Sequence, residues 1–333
     1  MLFIKKPFFT IKDTYPVCVN FVSDPAIKGY LKSIQSEVEK YSERYEELAS
    51  AGKLNEFVVP DIFDPEINSY NNWLKNLYKY YLSVKNKPSY AEAYKFYSLI
   101  KNYETYDKIR RCAYCNNSMV QALDHFLPES VFKALAVNPI NLIPSCDNCN
   151  ETKSTYKPIF SKENSVLIHP YFDNIFDIKW LKVRVKIIHI FKINPKSIEN
   201  IKNFKFIYDC GYSSINIVDI RHLKYIKKMI HTVFYINPEI CESNKLLFER
   251  ISLTFEKTGL NTTFSFAAND FFQTELVPNF LYGEYADKSD EDLRVLFAMK
   301  GRILCRQGYN ENHWKITLYD FLSKYQCGFK DFY

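Results

Sequence analysis

An α+β fold is predicted for this chain, and three observations predict it. The first hundred residues carry apolar side chains at helical spacings. A short stretch after them concentrates cysteines in close pairs. The segments beyond mix alternating with helical patterns. Composition agrees with a globular chain: 333 residues, 47% hydrophobic and 25% charged. That balance excludes a disordered polymer, and only 8 glycines exclude a collagen-like or Gly-rich chain. A net charge of +6 permits a polyanionic partner without requiring one. No uncharged apolar run reaches the roughly 18 residues of a membrane span, so no membrane association is expected. The opening MLFIKKPFF meets lysines too early for a signal peptide, which points to the cytoplasm. Thiols stay reduced there, so paired cysteines are expected to hold metal rather than form disulfides.

After a short apolar start at residues 8–19, a helix is predicted over 26–50. Ile27, Leu31, Ile34, Val38, Tyr41 and Tyr45 form its stripe, and Gly52 ends it. A second helix is predicted over 66–84, with Trp73, Leu77 and Tyr81 four apart, and a third over 91–110. These aromatic stripes read as core packing. Residues 180–191 alternate as a strand does, with 204–208 as a partner. Helices are predicted over 217–234 and 239–257, and a short strand over 262–266. Ser289, followed by three acidic residues, predicts a helix start, with a stop before Gly301. The expected organisation is a helical lead (1–107), a cysteine-bearing core (108–160) and a C-terminal α/β region (161–333) for docking substrate or a partner.

Within the core, Cys112-Ala-Tyr-Cys115 and Cys146-Asp-Asn-Cys149 form two knuckles. Each offers two thiolates from one turn, and together they complete the closed tetrahedron of a structural zinc. Cys18, Cys210, Cys241, Cys305 and Cys327 are scattered and read as ordinary thiols. The knuckles stand further apart than the roughly 15–20 residues of a plain zinc ribbon. Between them lie Leu123-Asp124-His125-Phe126-Leu127-Pro128 and Asn138-Pro139-Ile140-Asn141-Leu142, and after them Asn150-Glu151-Thr152-Lys153.

In that order, the segment resembles an HNH endonuclease of the four-cysteine, ββα-metal type, over about residues 108–160. The resemblance implies His125 as general base and Asp124 and Asn150 as oxygen ligands of a catalytic Mg²⁺ or Mn²⁺. It implies Asn141 as the residue that orients the loop and the base. The chemistry is consistent with these roles. A neutral imidazole takes a proton from water near neutral pH, and oxygen donors suit a hard cation. Asp124 and His125 serve one site only if the strand ends there, because neighbouring strand residues face opposite sides. Lys153, one turn beyond Asn150, is expected to reach the substrate's phosphates.

HNH proteins with such a lead and extension resemble the nuclease subunits of bacterial anti-phage systems, Septu-type or retron-associated, which pair with an ATPase-like protein. This chain has no Walker A motif, so an ATPase-type partner would act in trans. DNA is the expected substrate. The alternatives are RNA cleavage and a zinc-stapled binding module without catalysis. Further along, His169 in Ile168-His169-Pro170-Tyr171-Phe172-Asp173 reads as a turn histidine or as support for the metal site. Arg221, Lys224, Lys227 and Lys228 on the predicted 217–234 helix, with Lys179, Lys182, Arg184, Lys186 and Lys192, are a candidate phosphate-backbone contact.

Overall fold

The computed structural model describes residues 2–103, 110–153, 166–175, 177–193, 204–209, 223–307, 309–326 and 329. Its architecture is α+β. No helix among the described residues is long and apolar enough to cross a membrane. The chain forms two compact units, Met1–Ile178 with Pro238–Leu260, and Lys179–Asn237 with Asn261–Tyr333. The helical lead (1–107) and the cysteine core (108–160) both fall within unit 1.

Unit 1 begins with α1 (Ile11–Asn20), capped by Thr10 and Asp13 bonding reciprocally to each other's backbone N–H. The single helix predicted over 26–50 is two, α2 (Pro25–Ser33) and α3 (Gln35–Ser50), broken at Ile34. Asp24 caps α2 with Pro25 in its first turn. Gly52, at φ +68, turns the chain beyond α3 in a conformation that side chains disfavour. The predicted 66–84 helix shrinks to α4 (Asn72–Leu77), flanked by a 3₁₀ turn and by a π turn at Tyr78–Leu82. Next comes α5 (Ala91–Lys101), and residues 104–109 lie outside the described set.

The aromatic stripe of α3 is core, as its spacing suggests. Tyr41 stacks on Phe57 at 4.5 Å, and Phe57 on Phe132 at 5.8 Å. Two polar contacts tie the same helices to the loop beyond Phe132. Thr14 donates to the Val137 carbonyl at 2.7 Å, and Asn138 donates to Ser42 Oγ at 2.8 Å. Unit 1 also contains the hairpin of β1 (Ala122–His125) and β2 (Leu142–Ser145), followed by α6 (Asp147–Lys153). The two strands run antiparallel, with Asp124 opposite Ile143 and His125 opposite Leu142.

Unit 2 carries an antiparallel sheet in the order β4-β3-β5, from β3 (Leu181–Ile193), β4 (Phe204–Asp209) and β5 (Leu223–Ile236). β5 corrects the predicted 217–234 helix. Pairing with β3 along nearly its whole length decides between helix and strand for a run of mixed periodicity. In unit 1, the single predicted helix over 239–257 is split into α7 (Glu239–Ser243) and α8 (Lys245–Lys257). The predicted 262–266 strand is helical, inside α9 (Leu260–Phe271). Two more helices follow, α10 (Val277–Tyr282) and α11 (Asp290–Arg306), the latter opened by Ser289 in a capping box with Asp292. Gly301 does not stop α11. It lies inside α11, where a Cβ would meet Tyr319 of α12 (Trp314–Ser323) at 3.6 Å, an ordinary packing distance, so neither its backbone nor its surroundings demand a glycine.

A buried ion pair closes unit 1. Arg250 of α8 holds the Asp173 carboxylate with both terminal nitrogens and donates to the Val166 and Leu167 carbonyls. The side chains are 11% and 14% exposed, so removing one charge strands the other in poor solvent. Arg250→Met is expected to lower unfolding free energy by about 3–5 kcal/mol, read as a drop in the urea midpoint.

Candidate active site and metal centre

The sulfurs converge first. The Sγ atoms of Cys112, Cys115, Cys146 and Cys149 all lie within 4.8 Å of one another, and all four residues are buried. Zn–S bonds near 2.3 Å in a tetrahedron set sulfurs about 3.8 Å apart. Cys115 Sγ and Cys146 Sγ are 3.9 Å apart, so the donor set fits zinc. The first knuckle is a tight turn closed by the Arg111–Met119 bridge, with Asn116 at φ +52. The Asn117 N–H donates to Cys115 Sγ at 3.4 Å, which favours the thiolate. The second knuckle leads into α6, which carries Cys149. A metal here joins the base of the hairpin to the start of the helix. Of the other cysteines, Cys18 is buried, with its thiol pushed up to about 12 by burial, while Cys241 is exposed and Cys305 half-buried. Cys210 and Cys327 lie outside the described residues.

β1 ends at His125, the condition under which Asp124 and His125 can flank one site, and the chain bends at Phe126. The His125 side chain is 10% exposed. Its Nε2 lies 2.9 Å from the Ala136 carbonyl, which can only accept, so Nε2 carries the proton. In the neutral ring Nδ1 is then the free base. Glu129 Oε2 stands 3.5 Å from the same Nε2, and the Tyr78 ring meets the imidazole edge-on at 4.5 Å. Burial holds the His125 pKa below its ordinary value, opposed by Glu129 and the Ala136 carbonyl.

Asn141 sets the loop that supplies that carbonyl. Fully buried, it accepts from the Leu127 N–H at 2.8 Å and donates to the Leu127 and Leu135 carbonyls at 3.1 and 3.3 Å. Ala136 follows directly, braced by the contacts of Val137 and Asn138 with α1 and α3. The orientation of the imidazole therefore depends on Asn141 and, through it, on the helical lead.

Lys153 departs from expectation. It is no solvated phosphate contact, because its side chain is fully buried. Its Nζ lies 2.9 Å from Asp124 Oδ2 and donates to the His125 carbonyl at 2.8 Å, pinning α6 to the end of β1. Asp124 is itself 4% exposed and accepts from Tyr114 at 2.6 Å. A carboxylate offers about four lone-pair directions, and Lys153 and Tyr114 use most of them. Asp124 can therefore ligate a cation only by sharing. Asn150 is half-buried, one helical turn before Lys153 and so on the α6 face that meets β1. The carboxylate and carboxamide oxygens suit a hard cation such as Mg²⁺ or Mn²⁺ better than zinc.

The basic set resolves less well. Lys224 and Lys228 lie on strand β5, so the helical spacing that grouped them no longer applies, and Arg221 lies outside the described residues. Lys179 is paired with Asp320 at 3.0 Å. His169 is a buried turn residue. Its Nδ1 accepts from the Tyr171 N–H at 3.2 Å, which leaves Nε2–H for Tyr45 Oη at 2.9 Å, and its ring packs on Phe126 at 4.1 Å. Glu129 and the Ala136 carbonyl escaped the sequence reading. A glutamate four residues after a histidine was a signal within reach, whereas a carbonyl gives none, since every residue has one.

No known family profile matches the chain, and no solved structure matches it. Two curated proteins are similar over part of their length. Protein ea31 of Escherichia phage lambda is 31% identical over 137 residues, which is 39% of this chain and 43% of that protein. Septu protein PtuB of Bacillus thuringiensis is 34% identical over 68 residues, 19% of this chain and 25% of that protein. The chain thus covers less than half of these curated relatives.

Proposed function

We propose that unit 1 is a metal-dependent phosphodiester hydrolase of HNH type that cuts nucleic acid, DNA before RNA. One observation carries this reading. A hairpin and a helix tied together by four cysteines present an imidazole whose Nε2–H is already held by a carbonyl, leaving Nδ1 free. A phosphodiester is anionic and resists attack by neutral water. Nδ1 takes the water's proton as the oxygen approaches phosphorus. The Ala136 carbonyl keeps the ring in place, and Glu129 favours the imidazolium that forms. Asn141 holds the loop behind it, and Lys153 fixes the helix against the end of β1. A divalent cation held by Asp124 and Asn150 would neutralise charge on the phosphate when bound.

Similarity to Septu protein PtuB, with the resemblance to anti-phage nuclease subunits, supports a defence role beside an ATPase-type partner acting in trans. The Asp124–Lys153 pair favours a second reading, a zinc-stapled module that binds without cutting. Incubation with plasmid and with RNA plus Mg²⁺ separates them, since cleavage supports the hydrolase and binding alone supports the module.

Activity should also report the histidine through pH. The base works only when neutral, and its pKa lies below the ordinary 6.5. Cleavage is therefore expected to keep more than half of its plateau rate at pH 6.5 and to reach its half-point below that. A rate already half lost above pH 6.5 would contradict the buried imidazole as base.

A further inference from the structure

A groove of about 520 Å³ runs beside α5, lined among others by Lys85, Lys87, Tyr94, Lys95 and Leu99, with no carboxylate in its lining. None of the three lysines is ion-paired among the described residues, and Lys87 lies over the Tyr90 ring at 5.2 Å. From its wall, aromatic rings continue to the candidate base. Tyr94 stacks on Tyr97 with centroids 5.4 Å apart and planes 23° apart. Tyr97 meets Tyr78 at 6.2 Å, and Tyr78 meets His125 at 4.5 Å. Lys101 lies 5.9 Å from the Tyr97 ring. Tyr94 and Tyr97 are half-buried and keep part of their surface open to solvent, while Tyr78 is packed further in, its hydroxyl donating to the Leu123 carbonyl at 3.3 Å.

We propose that this groove and its tyrosines seat an unpaired nucleic-acid strand and lead it to His125. The inference rests on the hydrolase reading and names its substrate class. Lysines without acidic neighbours suit a phosphate backbone. Open tyrosine rings suit bases whose own faces are free, and this holds for a single strand but not for a duplex, where neighbouring bases cover them. A peptide without repeated acidic side chains would leave the lysines with no anion to meet, and an acidic one would leave the open rings without bases to stack on.

Binding is measured by fluorescence anisotropy with fluorescein-labelled oligothymidylate and with a labelled duplex of equal length. The protein is the zinc-loaded His125→Ala chain without Mg²⁺, so that nothing is cut. The single strand is expected to bind more tightly than the duplex. Tyr94→Ala should weaken strand binding about tenfold, since one base–aromatic stack contributes about 1–3 kcal/mol, while Tyr94→Phe should retain it. Changing Lys85, Lys87 and Lys95 together to Gln should flatten the salt dependence. Equal affinity for strand and duplex, unchanged binding in Tyr94→Ala, or Tyr94→Phe as weak as Tyr94→Ala would overturn the groove. That failure would leave hydrolysis standing if wild type still cuts. Tyrosine-dependent strand binding with no cleavage by wild type would remove hydrolysis and leave the groove.

Discussion

Cys146→Ser is expected to yield a chain in which the hairpin and α6 no longer fold. Structural zinc contributes on the order of 10 kcal/mol or more to a small metal-bound fold, while whole domains are stable by only about 5–15 kcal/mol. The hairpin cannot make up the difference, because β1 and β2 are four residues each and share little core of their own. Loss of one thiolate also leaves three others crowded within 4.8 Å without the cation that joins them. Elemental analysis should find about one zinc per chain in the wild type. Circular dichroism and limited proteolysis should show Cys146→Ser opened at the hairpin. A wild-type chain that stays folded after a chelator has removed all metal would contradict the staple.

His125→Ala is expected to leave the fold intact and remove cleavage. General-base catalysis contributes about 10²–10⁴ in rate, which is roughly 3–5.5 kcal/mol of barrier. The substitution is expected to cost folding only modestly, because it removes one ring contact with Tyr78 and one hydrogen bond to the Ala136 carbonyl while the backbone pairing of β1 stays. Zinc content and thermal midpoint should therefore stay near wild type while plasmid and RNA cleavage fall together. Equal cleavage by the two proteins would remove His125 from the chemistry.

The parts legible in the sequence were those that local spacing dictates. Cys-x-x-Cys fixes two sulfurs on one turn wherever it occurs, so the metal cluster could be read without knowing the fold. The α3 stripe and the Ser289 cap are equally local, because a helix repeats every 3.6 residues and its first N–H groups need an acceptor. Long-range pairing was not legible. Residues 223–236 carry both periodicities, and only their partner β3 makes them a strand. Lys153 looked like a surface lysine one turn along a helix. Its burial follows from Asp124, 29 positions earlier, turning its carboxylate inward toward Tyr114. Gly301 read as a stop, but glycine weakens a helix by only about 1 kcal/mol, which the rest of α11 outweighs.

The most direct measurement follows the water oxygen. An oligonucleotide is cut in ¹⁸O-enriched water by the zinc-loaded protein supplied with Mg²⁺, and the product ends are weighed by mass spectrometry. The account predicts one solvent oxygen in the terminal phosphate of the wild-type product, with the labelled product lost in His125→Ala. A phosphate end without label, or labelled product formed as fast by His125→Ala, would contradict it.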